Sequence, residues 1–479
     1  MNQTSESRKL FAYIWLAICA VVSVALVFLF HDSHQQDGGY HFLFARWGWN
    51  HPAFFVMVWA RPLFTFLYSF PAQLGYESAR LFTVFICLLT AWHTWKTAKL
   101  FNLEKTELVI PFLFFQPSFF LLSAETMTEP LFALLFVIAL RLHLNGYIKT
   151  GAFVASLMLL ARPEGFFLGI LWGVWLLFDE RAGTNFIKRG LSATLLATGG
   201  LVWIFSSWMV TGDVLFIKHN WPSDWGATGG LYGTGTIFAY VIRLPEIVGL
   251  FFLPFFVVGI YKAIKERKIT TAVSAFLFLF LLHTIFRMFG FFSSAGYPRY
   301  FVCVSPSVAL VTLYGWNTLS QNDFFKREFF KRTVVPAVFF LSIFTAFLYI
   351  DAAEWNRDAR LVRDAHHWFK QNERPVTHFY WSQAYMGIVF DKDNSDQPFL
   401  SGEKERKIEI LRQAPRGTLI FWDMRSAIKL HNITADEINA LGYKKLFSKS
   451  EKLKGYLMPD WWNWYGGPRQ QEMFLFYKE

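Results

Sequence analysis

Four short stretches of this 479-residue chain combine carboxylates, arginines and aromatic rings at the edges of long apolar runs. The first is 31–52, HDSHQQDGGYHFLFARWGWNHP, read as a loop holding Asp32, Asp37, Arg46 and four histidines. Gly38 and Gly39 are expected to turn the backbone behind Asp37 so that its carboxylate projects toward a ligand, with Tyr40 and His51 in support. A plain turn aspartate is the competing reading. The second stretch is 123–132, SAETMTEPLF. In a helical turn Glu125 and Glu129 share one face, where two carboxylates repel unless a cation or a proton lies between them. Capping by Thr128 or Glu129 of the helix that Pro130 opens explains part of this pattern. The third is ARPEG at 161–165, where Arg162 and Glu164 form a salt bridge at a re-entry turn, or Arg162 orients Glu125 or Asp37. The fourth is GYPRYF at 296–301. Arg299, between Tyr297 and Tyr300, either anchors a helix at the interface or offers its fork of donors to a lipid phosphate.

These residues must be positioned by a membrane scaffold. Hydrophobic residues make up 54% of the chain, aromatic residues 20% and charged residues only 17%, too apolar for a soluble chain of this length. The net charge of +11 sits mostly in short loops between apolar runs, which is a topology signal and no argument for nucleic acid. Cys19, Cys87 and Cys303 all fall inside apolar runs, so neither a disulfide framework nor a thiolate metal site is available. No internal repeat stands out.

Apolar runs near 10–30, 76–98, 107–122, 130–148, 151–162, 165–178, 190–210, 246–262, 271–287, 300–317 and 334–350 predict about eleven transmembrane helices. The first reads as an uncleaved signal anchor. Ala53–Phe70 is read as two short interface helices, because Arg61 and Pro62 at mid-membrane would cost about 3 kcal/mol or more each. Lys and Arg cluster in alternate loops, which places 31–75 and the C-terminus outside the cytoplasm. The expected fold class is mainly α and polytopic, with a transmembrane catalytic domain over 1–350 and a small extracytoplasmic α/β domain over 351–479. In the latter, an amphipathic helix at 352–371 precedes strand-like runs at 376–381, 418–422, 443–448 and 472–477, with a helix opened by Thr434. That part shows no glycine-rich phosphate loop and no nucleophile motif.

The order of these motifs resembles the GT-C superfamily of integral-membrane glycosyltransferases. It consists of Asp37, Gly38 and Tyr40 in the first outer loop, Thr128–Pro130, Arg162–Gly165, and Arg299 with Tyr300 before a late span. Protein O-mannosyltransferases, aminoarabinose transferases and GPI-type mannosyltransferases belong to it, and the resemblance covers about 10–350. Many members carry an acidic pair in the first outer loop. Here Gly38 holds the second position, leaving His41, His51 or Glu125 and Glu129 to substitute.

The resemblance implies transfer, with inversion, of a mannose-like or other hexose or pentose. The donor is a polyprenyl- or dolichyl-phosphate sugar, and the acceptor a lipid, glycan or protein at the outer face. Asp37, with Glu125 and Glu129, is then expected to be catalytic, since a carboxylate can take the acceptor proton as the anomeric carbon gains oxocarbenium character. Arg299, then Lys218 and Arg287, are the cations for the leaving phosphate. Arg162, Glu164, His51, Tyr40 and Tyr297 are expected to support them. A divalent cation, Mg or Mn, has Asp37 as its expected ligand, and no other cofactor is implied. The partners are the donor, the acceptor and membrane lipids, and the expected location is a bacterial inner (plasma) membrane in preference to the ER. The Gly- and Trp-rich segment 211–236 reads as a cover over the sugar or a passive loop. The alternative reading is a lipid-linked sugar flippase or small-molecule transporter, which should show repeats and polar residues at mid-membrane. A noncatalytic scaffold is a third reading.

Overall fold

The computed structural model describes residues 5–29, 36–222, 225, 232–352, 357–381, 383–393, 404–453 and 469–479. Asp32 and the greater part of 223–231 lie outside them. Helices that position the site are α1 (Ser5–Leu29), α2 (Gln36–Trp47), α3 (Pro62–Ala72), α4 (Tyr76–Leu100) and α5 (Glu129–Leu144). They continue with α6 (Glu164–Phe178), α7 (Thr270–Phe289), α8 (Ser305–Ser320) and α9 (Val335–Ala352).

Each apolar run becomes helical, but not each becomes one straight rod. Among the described residues, five helical segments are long and apolar enough to cross a membrane: Glu6–Leu29, Phe186–Thr211, Thr270–Phe289, Pro298–Ser320 and Arg332–Asp351. Ile148–Ala161 and Glu164–Phe178 are shorter apolar helices. The run 107–122 splits into Val109–Phe114 and Pro117–Leu122, because the residue before a proline is pushed out of the helical region and Gln116 is extended. The predicted span 246–262 is likewise two pieces, Leu244–Val248 and Leu253–Glu266, parted at Gly249 with φ +99°. In α4, Thr90 and Thr94 return their hydroxyls to carbonyls one turn back, so their polarity costs little inside the bundle. The protein is thus a multi-pass α-helical membrane protein.

The stretch 31–52 departs from the loop expected there. Residues 36–47 form α2, with Asp37 in its first turn and Gly38 and Gly39 in helical conformation. Gly38 serves contact and not a turn. A Cβ there would stand 3.3 Å from both Met127 Sδ and Thr126 Oγ1, and Thr126 Oγ1 donates to the Gly38 carbonyl at 2.7 Å. Ala53–Phe70 does form two short helical pieces, a 3-10 turn at Pro52–Phe55 and α3. Between them Arg61 takes φ +68° and ψ +95°, a conformation costing of order 1–3 kcal/mol for a residue with a Cβ.

The C-terminal part contains α10 (Arg357–Gln371), α11 (Ala384–Phe390) and strands β1 (His378–Trp381), β2 (Thr418–Asp423), β3 (Tyr443–Leu453) and β4 (Arg469–Lys478). The sheet order is β1-β2-β4-β3, with β1 and β2 parallel and the other pairs antiparallel. Thr434 caps Ala435–Ala440 through a reciprocal box with Glu437. Alternation along β2 sends Leu419 and Phe421 into one core, and Ile420 and Trp422 into a second core on the far side of the sheet. The first core is continuous with that of the helical bundle, so sheet and bundle share one apolar interior.

Candidate active site

Four segments distant in sequence converge on a cavity of about 320 Å³. The first turn of α2 brings Asp37, and the break before α3 brings Arg61. The turn into α6 brings Arg162 and Glu164. A 3-10 segment, Pro298–Val304, brings Arg299. Gly165 permits the third of these: a Cβ there would lie 2.3 Å from the Leu159 amide nitrogen. Rings of Tyr40, Trp59, Trp225, Tyr232, Tyr297 and Tyr300 supply much of the remaining wall. Cavities of this size with a few convergent polar groups on an aromatic lining are typical ligand sites.

Asp37 and Arg299 form an ion pair, Arg299 Nη2 donating to Asp37 Oδ2. The Asp37 side chain is 40% exposed, whereas that of Glu129 is fully buried. Glu129 lies behind the pair, its Oε1 3.7 Å from Arg299 Nε and 2.8 Å from Arg162 Nη1. Arg162 donates twice to Glu164, at 3.2 and 2.7 Å, and once to Thr128 Oγ1 at 3.0 Å. Thr128 therefore stands at the start of α5 without capping it, its hydroxyl oxygen accepting from Arg162. Burial raises the Asp37 carboxyl, but the charge and hydrogen bond of Arg299 outweigh burial and hold it below the usual carboxylate range. Burial, aided by Arg61, pushes the His41 imidazole down to about 3, so the ring stacked on Trp59 is neutral.

The structure separates other residues that the sequence grouped. Glu125 and Glu129 do not share a helical face, because 125–128 is a turn and the helix begins at Glu129. Glu125 is buried outside the cavity wall, 4.0 Å from Arg80 Nη2, and accepts from the Tyr76 hydroxyl at 3.4 Å. Arg162 orients Glu129 and Glu164, and neither Glu125 nor Asp37 is bonded to it. Arg287 is absent from the cavity lining, since its Nη1 donates to the carbonyls of Tyr232, Gly233 and Ser294. Lys218, in the short helix Phe216–His219, is also off the wall. His51 faces Asp393 of the C-terminal part at 2.9 Å.

Tyr40 and Tyr297 do line the cavity, and the Arg299 guanidinium stands 4.8 Å from the Tyr297 ring centre. The wall also holds Arg61 and His283, to which the sequence reading gave no part in the site. Arg61 is 8% exposed, donates to the Val58 carbonyl at 2.9 Å and lies 5.2 Å from the Trp225 ring centre, while its Nε has no hydrogen-bond acceptor. Its signal was the charge beside Pro62, which the sequence showed only as a helix break. Among the described residues no three His, Cys, Asp or Glu side chains converge to hold a metal ion, and Asp37 is engaged by Arg299.

Broken helices, a polar cavity walled by several of them and an α/β part packed against α2 make up this membrane fold. No family model matches the chain, and no curated protein matches its sequence. Among solved structures it is similar to ArnT from Cupriavidus metallidurans bound to undecaprenyl phosphate, with a TM-score of 0.62. The likeness spans 96% of this chain and 97% of that one at 12% identity, and it concerns the fold.

Proposed function

We propose that this protein is a polyprenyl-phosphate-dependent glycosyltransferase acting at the outer face of a bacterial inner membrane. The observation that carries the reading is the accessible Asp37 carboxylate paired with Arg299 on the wall of an aromatic-lined cavity. The likeness to a protein bound to undecaprenyl phosphate supports a lipid phosphate as the donor's anionic end.

The donor phosphate competes with Asp37 for the Arg299 fork, since both are oxyanions. Once Arg299 turns to the phosphate, Asp37 loses its counter-ion and regains basicity, ready to accept the proton of an incoming acceptor hydroxyl. The acceptor oxygen then bonds to the anomeric carbon as the bond from that carbon to the phosphate oxygen breaks. The proton passes to Asp37, and polyprenyl phosphate leaves with its charge held by Arg299. Attack opposite the leaving group inverts the anomeric centre. Glu129 and Arg162 hold Arg299 in place from behind. The flat rings of Tyr40 and Trp59 offer apolar faces to a hexose or pentose. A lipid, glycan or protein can serve as the hydroxyl-bearing acceptor.

The test is incubation of purified protein with radiolabelled polyprenyl-phosphate sugars and membrane extract. Label should leave the donor for a new product. Failure to bind polyprenyl phosphate, together with no transfer from any sugar offered, would overturn the reading.

A further inference from the structure

His283 on α7 lines the cavity, is 3% exposed, and has no hydrogen-bond partner at either ring nitrogen. The charged groups of the same wall have partners: Asp37 pairs with Arg299, and Arg162 pairs with Glu164 on the wall and with Glu129 behind it. Aromatic packing fixes the His283 ring. It stacks on Tyr300 at 5.0 Å and 20°, and meets Tyr240, Phe286 and Phe301 near edge-on at 6.2, 5.9 and 5.7 Å. A phenylalanine would fill such an aromatic socket without leaving two buried polar atoms unpaired, which is unfavourable.

We propose that His283 is a specificity-determining residue that reads hydroxyl groups of the donor's sugar, an inference that rests on the glycosyltransferase reading above. A neutral imidazole presents one N–H donor and one lone-pair acceptor. That pair matches sugar hydroxyls, each both donor and acceptor. An ionised phosphate can use only the N–H of that pair, because its oxygens carry no proton for the lone pair. Position agrees with chemistry. The ring that holds His283 belongs to Tyr300, the neighbour in sequence of Arg299, so one 3-10 segment carries both the phosphate partner and the support of the sugar reader. In a phosphate-linked sugar the two groups are one bond apart, and their readers must stand side by side.

The experiment measures binding, without turnover, of a short-chain polyprenyl phosphate and of its hexosyl and pentosyl derivatives, including epimers, to purified protein. Wild type should bind at least one glycosyl form more tightly than the bare phosphate, by about tenfold for a pair of hydrogen bonds. His283→Phe keeps the stack on Tyr300 and should reduce that increment to within about twofold, a few tenths of a hydrogen bond's worth, while leaving bare polyprenyl phosphate unchanged. His283→Gln keeps a donor and an acceptor in shifted positions and should change which epimer is preferred, a readout that stands even where the Phe variant folds poorly. An increment and an epimer preference unchanged in both variants would overturn the proposal. So would a wild type that binds bare and glycosyl forms equally, although that result leaves the polyprenyl-phosphate reading standing. Absence of bare polyprenyl phosphate binding would remove both.

Discussion

Asp37 and Arg299 are separated by 262 positions in the chain, yet each is the other's counter-ion at the cavity. The pairing makes the proposed base and the proposed phosphate partner mutually exclusive in the resting protein. Donor binding and base activation are then one event, because the phosphate that occupies Arg299 is what frees Asp37.

Asp37→Asn preserves shape but cannot take a proton. Donor binding should survive, or tighten because Arg299 is released, while transfer falls by the ~10²–10⁴-fold typical of lost acid–base catalysis. Equilibrium binding alongside single-turnover assays separates these effects. A folded variant with wild-type transfer rates would remove Asp37 from the reaction.

Arg299→Ala should fail differently. It weakens donor affinity and leaving-group stabilisation together, and it leaves Asp37 and the buried Glu129 short of a counter-ion. Arg299→Lys should recover only part, since an ammonium lacks the bidentate fork. Full recovery with Lys would mean that a point charge suffices.

The pair also sets a pH signature. In the free protein burial raises the Asp37 carboxyl while Arg299 more than compensates, so its folded value lies below the ordinary one. Stability from this group is therefore present above the unfolded value, about 3.9, and lost as pH falls through the lower folded value. In the donor complex the phosphate takes Arg299, and the carboxyl rises. The acidic limb of kcat should thus lie at higher pH than that of kcat/KM, because the first reports the complex and the second the free protein. Coincident limbs would contradict an exchange of partners at Arg299.

A fourth expectation concerns the grip of the C-terminal part on α2, the helix that carries Asp37. Arg46 meets Asp391 through two hydrogen bonds, at 3.2 and 2.9 Å, but the Asp391 side chain is 61% exposed. Asp391→Ala, which removes the ion pair and leaves the bonds of Arg46 to the Ala72 and Gln73 carbonyls, should therefore change stability by no more than about 1 kcal/mol. Trp381 is buried, and its ring lies 6.2 Å from that of Trp47 at the end of α2. Trp381→Ala should cost about 3–5 kcal/mol. It should also lower transfer, since loosened packing lets α2 shift. Denaturant melts and transfer assays on the two variants check the contrast, and equal small effects would mean that the bundle alone holds α2.

The helices were legible because membrane burial writes itself into long apolar runs, and the elements of the C-terminal part because alternation and the Thr434 cap are local signals. The Arg61-Pro62 break between two short helices was legible for the same reason. The α2 helix was not, because two adjacent glycines argue for a turn, and only the approach of Thr126 to Gly38 explains their place in a helix. Arg287 shows the limit for cations: the sequence locates a charge near the outer end of a span but not the three carbonyls that collect it. Glu125 shows it for carboxylates, since its spacing from Glu129 mattered only if the turn between them were helical. His283 is one of several polar residues in a mainly apolar helix, and its pattern is the same whether its nitrogens are satisfied or not.

Sheet order bears on how such a protein is made. β4 follows β3 in the chain but inserts between β2 and β3, so the ribosome delivers Asp37 long before the strand that completes the sheet carrying β1. Until β4 pairs, Met473 and Leu475 are missing from the shared interior against which Trp381 and α11 pack, and α2 lacks its finished support. Under the proposed function, a nascent chain already threaded into the membrane is expected to gain transfer activity only when its C-terminal part has closed.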